Sequence, residues 1–433
     1  MQRDLPQLEV HLSRSVLVDT AGHSIEFTEG PPSAAARMRL ERIRVEFSSG
    51  FLPQLITECR SPDFALPPIS EEAMQLLKEL VSAVTGDSGR AIVGLTVLQL
   101  SIKAVAPTQS IRLHKGGGSG DLFSWTEGVP MRVLDKQFNT PALRGSGLLS
   151  LNADGCFMTR SLAENYPYSM IYKAAIKGAR EEWLLLVDLL ESGQVDAKSA
   201  LQWLLTLLIQ RSRSFEVDIE QALRHMAVQA SNVVSVHHAA MSLLGFVAAS
   251  THAARLFEIS MHSLCQVVQE QGGYDGVLKP LSQMRSANKK HGNIGDVEIL
   301  VREGSLQIRC SWDAKYGKSY LRDELDELDE KLETHPETEV AGFVTDQAPD
   351  MRHEILERID AIKSDRRVRV YVLSFLEWVR METSSIAVDE RTIGEQWLRA
   401  FAECLCLRRR DVAPIDEPTL AWVSALQVFR LVD

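Results

Sequence analysis

Apolar and polar positions follow two different rhythms along this chain, and the rhythm changes near residue 270. From residue 171 to about 270, apolar residues recur every three or four positions. This spacing predicts amphipathic helices over 171–190, 197–211, 219–229, 232–250 and 252–270, with Gly193 and the polar 211–214 patch as turns. Trp183, Leu184 and Val187, then Trp203, Leu204, Leu207 and Leu208, read as helix-packing core. A glycine-rich break at 271–276 ends the series, and beyond it the period shortens to two. Residues 294–302 and 305–315 alternate as strands, with Glu303-Gly304 as a two-residue hairpin loop. Leu321, Leu325, Leu328 and Leu332 then draw one apolar stripe along a helix over 320–333. A strand at 340–345, a helix from 349 with Met351, Ile355, Ile359 and Ile362 inward, and a strand at 368–373 follow. Segments 375–381 and 392–407 read as closing helices.

The start of the chain is less regular. Residues 8–12 and 24–28 have strand character, 33–47 is a basic helix, and 51–67 reads as irregular. Ser70 is the expected N-cap of a helix running to about residue 84, with Glu71 and Glu72 in its first turn, and 91–104 is a further helix. The expected fold is therefore mixed α+β: a large, mainly helical N-terminal region followed by an α/β part with a central mixed sheet. Three segments are expected: 1–110, mixed and mostly helical; 111–270, helical; and 271–433, carrying the sheet.

The hairpin concentrates the candidate chemistry. With Arg302 opposite Ser305, counting back sets Asp296 against Ser311, and Asp313 becomes its diagonal neighbour at a Cα separation of roughly 7–8 Å. Glu298 shares the face of Asp296. Gln307, Arg309, Ser311, Asp313 and Lys315 share the polar face of the second strand, and Leu306, Ile308, Cys310, Trp312 and Ala314 the other. Two carboxylates so close repel each other, and a hard divalent cation such as Mg²⁺, held by one or two carboxylates plus waters and phosphate oxygens, relieves the repulsion. Lys315 is positioned to orient a water or to neutralise charge growing on a phosphate.

An aspartate, a hairpin and then Asp313-Ala314-Lys315 resembles the active site of the PD-(D/E)XK nuclease superfamily, to which most type II restriction endonucleases belong. Asp296 matches the first acid, Asp313 the second and Lys315 the lysine, while Gly295 stands where the family's nominal proline would be. The predicted order strand, strand, helix, strand, helix, strand is the order of that nuclease core. The resemblance implies a restriction-endonuclease-like C-terminal core in which Asp296, Asp313 and the Ala314 carbonyl hold Mg²⁺. It also implies a preceding helix that supplies a further acid, for which Glu270 or Glu258 qualifies, and Glu298 is a possible second-metal acid. The activity it implies is site-specific hydrolysis of double-stranded DNA by a homodimer, with a cognate DNA methyltransferase in the same system.

Composition bears on this in three ways. The formal charge of −11 argues against a broad non-specific DNA surface and for a localised cleft, with basic residues at Arg285, Lys289, Lys290 and His291, at 366–369 and at 408–410. Arg112, His114 and Lys115 beside the glycine-rich 116–120 loop, and Arg160 and Asn165 further on, are residue types able to meet phosphates or base edges; a plain surface loop fits the same stretch. Six scattered cysteines suit a reducing, cytoplasmic setting, and the apolar run 233–249 reads as a buried helix with no membrane partner implied. Two other readings stay open: a methylation-dependent, repair or transposition nuclease on the same core, and a helical regulatory or scaffold protein keeping an inactive nuclease fold.

Overall fold

The strands and helices expected from residue 294 onward form in the expected order. The structure, a computed structural model, describes residues 6–18, 22–117, 123–149, 151, 155–158, 160–174, 176–281, 293–384, 386–406 and 419–432. The fold is mixed α+β, and the chain divides into two units, residues 1–215 and 216–433.

The first unit opens with an antiparallel sheet of β1 (Gln7–Val10), β2 (Arg14–Val18) and β3 (Ser24–Thr28). Helices α1 (Ala34–Ser48), α2 (Phe51–Arg60), α3 (Glu71–Ser82), α4 (Asp87–Val105), α5 (Met131–Leu134), α6 (Thr140–Gly145) and α7 (Arg180–Glu191) follow, then α8 (Ala197–Ser231), within which the division between units falls. Their inward residues, from Leu40 through Leu77, Leu98, Ile111 and Trp183 to Ile209, form one continuous core. The expected segment boundary at 110 would cut through that core, which is why the first unit runs on to residue 215.

Three local expectations are corrected. The stretch read as irregular contains α2: Pro53 lies in its first turn, where the missing N–H removes no helical hydrogen bond. The helix expected from 171 begins only at Arg180, after Gly178 with φ +99°. The polar 211–214 patch, expected as a turn, lies inside the 35-residue α8. Among the described residues one stretch, Ser88–Val105, is apolar and long enough to cross a membrane, and 78% of it is buried inside the structure.

The second unit is built on a five-stranded mixed sheet. Its strands are β4 (Val277–Leu278), β5 (Val297–Leu300), β6 (Ile308–Lys315), β7 (Val340–Thr345) and β8 (Arg369–Ser374), paired in that order. The first three are antiparallel and the last three parallel. The parallel steps are made by α11 (Arg322–Glu333) and α12 (His353–Arg366), after α9 (Val236–Ala249) and α10 (Ala253–Glu270). Helices α13 (Phe375–Thr383), α14 (Glu390–Cys406) and α15 (Thr419–Leu426) complete the unit.

Each face of the sheet has its own cover. Leu321, Leu325, Leu328 and Leu332 form the predicted stripe and pack with Ile355, Ile359 and Ile362 of α12 over Ala341, Phe343, Val370 and Val372. On the opposite face Trp312 meets Trp378 and Tyr371, while Phe257 of α10 meets Phe375 of α13. The Trp397 indole of α14 donates to Ser260 O at 2.9 Å. Outside the stripe, α11 is acidic, and two of its aspartates are paired with α12: Arg358 binds Asp326 at 2.7 Å and Asp329 at 2.8 Å, and Arg366 binds Asp329 at 2.7 Å. Arg366, counted in the sequence as part of a basic cluster, thus ties α12 to α11.

Leu325 is fully buried in this layer. Leu325→Ala is expected to destabilise the protein by about 2–5 kcal/mol, through lost burial and the cavity left behind, read as a lower urea midpoint.

Candidate active site

The hairpin turn forms where expected, with Ser305 N donating to Arg302 O at 3.1 Å. The register beyond it differs from the simple count. Val301 N reaches Gln307 O at 3.0 Å, so one extra residue enters the second arm, and Leu306 is left 91% exposed. A second irregularity lets Leu300 pair with Ile308 and Ile299 with Cys310, leaving Arg309 unmatched. Arg309 therefore does not line a site; it pairs with Asp275 at 2.6 Å. Ile308 turns into the core beneath α11, away from the face of Trp312 that it was expected to share. The two slips add to a shift of two, which preserves the alternation of faces. Val297 pairs with Trp312, and Asp296, just outside the paired stretch, donates its N–H to Trp312 O at 2.9 Å and lies beside Asp313, two residues beyond the expected Ser311.

A buried clasp fixes the segment that carries Asp296. Glu298, expected as an accessory acid, is 2% exposed and commits both carboxylate oxygens elsewhere. One accepts from Ile294 N at 2.7 Å and Gly295 N at 3.3 Å, and the other from Lys279 Nζ at 2.6 Å. Gly295 then runs hard against β6: a Cβ there would stand 2.7 Å from both Ser311 Oγ and Trp312 O. This close approach explains the glycine at position 295.

Asp296, Asp313 and Lys315 lie on one face. The two carboxyls are close enough to perturb each other's ionisation, Ala314 N donates to Asp296 Oδ2 at 3.0 Å, and Lys315 Nζ lies 3.0 Å from Asp313 Oδ2 and 5.7 Å from the Phe343 ring centre. Asp313 is 7% exposed, whereas Asp296 and Lys315 are half-buried at the strand ends. Burial, then the neighbouring Asp296 charge, pushes the Asp313 carboxyl up to about 7 against the pull of Lys315. Burial also raises Asp296, with Glu258 of α10 as the next cause. Burial pulls the Lys315 ammonium down, but Asp313, Asp296 and Glu324 outweigh it and hold it above the ordinary lysine range.

Of the two acids considered on α10, Glu258 is the one within electrostatic reach. Glu270 sits twelve residues on, roughly 18 Å along the helix, and accepts from Gln266 Nε2 at 3.4 Å. Glu324 was not singled out in the sequence. Its other oxygen binds Lys318 while Oε2 is buried without a hydrogen-bond partner. Only its place in the first turn of α11, just after the Asp-x-Lys motif, pointed to it.

The residues considered for DNA contact fare differently. Arg112 is 5% exposed and spends its guanidinium on Asp188 at 2.6 Å and Tyr168 O at 2.6 Å. His114 is 3% exposed between the Phe157 and Tyr168 rings, where burial pulls its pKa down to about 4. Both are core residues, because the segment carrying them runs through the interior and not over it. Lys115 and the exposed Asn165 are hydrogen-bonded together. Arg160 falls in a short 3₁₀ turn. Arg285, Lys289, Lys290 and His291 lie outside the described residues, as do 408–410.

Chemically, the site offers two oxygen-donor carboxyls pressed together beside an ammonium. Among the described residues no group of three or more His, Cys, Asp or Glu side chains forms a metal cage. A carboxyl pair fits Mg²⁺, which takes its remaining ligands from water and phosphate. Comparison with known protein families and with curated proteins finds no match.

Two outcomes follow from this geometry. Asp313 is raised above its unfolded value of 3.8, so the native state keeps a proton that the unfolded chain has shed. Its stabilising contribution is whole below about pH 4 and is lost as pH rises through about 7. In metal-free buffer, the stability of the wild type relative to Asp313→Asn should fall across that window, as followed by urea denaturation. Gly295→Ala should cost about 1–3 kcal/mol by forcing the segment off β6; an unchanged urea midpoint would show that the close packing is not needed.

Proposed function

We propose that this protein is a Mg²⁺-dependent DNA endonuclease of the PD-(D/E)XK type that hydrolyses phosphodiester bonds, in the manner of a type II restriction enzyme. One observation carries the reading: Asp296 and Asp313 come together on one face of paired strands, close enough that the Asp296 charge raises Asp313, with Lys315 bound to the second acid. A structural role alone gives no reason to bury two carboxyls against each other with burial and mutual charge opposing their ionisation. The order β5, β6, α11, β7, α12, β8 supports the same reading, as does α10 bringing Glu258 toward Asp296.

In this reading Asp296 and Asp313, with the Ala314 carbonyl, would hold the cation. Bound there, the metal supplies a water of lowered pKa and a positive charge for the scissile phosphate. Asp313 gives up its proton to bind, so cation affinity rises with pH up to about 7. Lys315 keeps its proton in that range, and its Nζ, anchored on Asp313, aligns the attacking water or neutralises the phosphate in the transition state. Glu298 acts on position only, holding the 294–295 backbone so that Asp296 faces Asp313. A site-specific enzyme of this kind would work in the cytoplasm on double-stranded DNA, as a homodimer, beside a methyltransferase that shields the host's own sites. The first unit, which precedes the sheet, would carry the recognition surface.

Nicking of supercoiled plasmid and phage DNA, with and without Mg²⁺, tests the proposal. Wild type should cut only with the metal. Asp296→Ala, Asp313→Ala and Lys315→Ala should each lose on the order of 10²–10³-fold in rate while binding DNA as before. Full activity in any one of the three would remove the assignment, and methylated against unmethylated plasmid separates a restriction enzyme from a methylation-dependent one.

A further inference from the structure

The connection from β6 to α11 brings another carboxylate to the side of the sheet that carries Asp313 and Lys315. Asp313 and Phe343 are register partners on β6 and β7, and Lys315 Nζ lies 5.7 Å from the Phe343 ring centre. Phe343 belongs to the same apolar layer as Leu321 and Leu325, so the lysine and the start of α11 share this face. Glu324, next to Leu325 in the first turn of α11, has a side chain only 14% exposed. It is the third residue of the helix, where a glutamate ordinarily folds back onto the N–H of the cap residue. Here no capping box forms, and the carboxylate turns to the connection instead.

The two oxygens of Glu324 are unequally placed. Oε1 binds Lys318 Nζ, whereas Oε2 is buried without a hydrogen-bond donor. A carboxylate oxygen left dry and unpaired is costly for folding alone. The Glu324 charge is among those that keep the Lys315 ammonium protonated, so the two groups lie within electrostatic reach. Lys315 Nζ is nevertheless bound to Asp313, at 3.0 Å, and not to Glu324. Asp313 has a competing use in the nuclease reading, because its oxygens are also the ligands of the cation. An ammonium and a divalent cation repel each other on one carboxylate, so the gain of one weakens the hold on the other.

We propose that Glu324 Oε2 is the second anchor of the Lys315 ammonium, taking Nζ when Asp313 gives its oxygens to a divalent cation. The inference rests on the nuclease reading and adds a positioning residue to it: Glu324 touches neither cation nor phosphate and acts through Lys315. Nζ exchanges one carboxylate contact for another along the same face, and the empty oxygen gains the donor it lacks. Lys318 keeps Oε1 throughout and fixes the orientation of the carboxylate. Without this second anchor, binding a cation at Asp313 would leave a half-buried ammonium unpaired, and cation affinity would fall.

Calorimetric titration of the full-length protein with Mn²⁺, in the absence of DNA, tests this. Glu324→Gln removes the charge, and Glu324→Asp keeps the charge but withdraws the oxygen by one methylene. Each is expected to weaken Mn²⁺ binding about five- to tenfold, with melting in metal-free buffer reporting any structural cost separately. In Lys315→Met, which has no ammonium to hold, adding either Glu324 change should alter the affinity by less than about twofold. Lys318→Met, which empties the other oxygen, should not weaken binding. Wild-type affinity in Glu324→Gln, or a loss that persists undiminished beside Lys315→Met, would overturn the inference. Full affinity in Glu324→Asp would reduce the effect to a charge felt at a distance, and an equal loss in Lys318→Met would assign it to the wrong oxygen; either also overturns it. All four outcomes leave the cation site standing, whereas a wild-type protein that binds no Mn²⁺ removes the nuclease reading and this inference with it.

Discussion

The pairing register of β5 against β6 is the constraint on which the second unit's chemistry depends. Two extra residues in the β6 arm slide Asp296 away from Ser311 to a position beside Asp313. A slip of one would have sent the acids to opposite faces of the sheet; a slip of two keeps them together and brings them closer than the count from the turn implies. The Glu298–Lys279 ion pair and the bare backbone of Gly295 hold the arrangement from outside. The electrostatics are consequences of that placement: burial and mutual charge raise Asp313, and Lys315 stays protonated because the acids lie beside it.

Charge along this chain divides between structural and chemical uses, and residue type alone does not tell them apart. The acidic outer side of α11 accounts for much of the negative balance, yet Asp326 and Asp329 are consumed by arginines of α12. Arg112 and His114, which read as phosphate contacts beside a glycine-rich loop, are core groups of the first unit. Asp296 and Asp313 differ from all of these in pairing like with like. That is the arrangement a cation or a shared proton stabilises.

The two units show different styles of buried polarity. In the second, the buried Glu382 is raised to about 7 by burial, against the hydrogen bond from the Tyr274 hydroxyl, beneath Trp312. In the first, Asp135 is wholly buried but surrounded by donors from Asn139, Thr140 and Cys156, which shape the π-helical turn Asp135–Asn139 around it. Networks of this kind specify one packing because each member left without its partner is costly in a low-dielectric interior.

The sequence by itself determined what depends on neighbours along the chain. The stripe Leu321, Leu325, Leu328 and Leu332, the strand at 340–345, the Ser70 cap and the Glu303-Gly304 turn are set by local periodicity and turn chemistry, and they form where the pattern puts them. The Asp296, Asp313 and Lys315 set was legible because strand alternation fixes which side chains share a face. Only the tertiary structure decided the rest. The slips at Leu306 and Arg309, the choice of Glu258 over Glu270, the burial of Arg112 and His114 and the unpartnered oxygen of Glu324 all depend on what lies across space. A one-residue bulge leaves no mark in hydrophobic periodicity, and a polar side chain reads the same in sequence whether water or an aromatic ring lies against it.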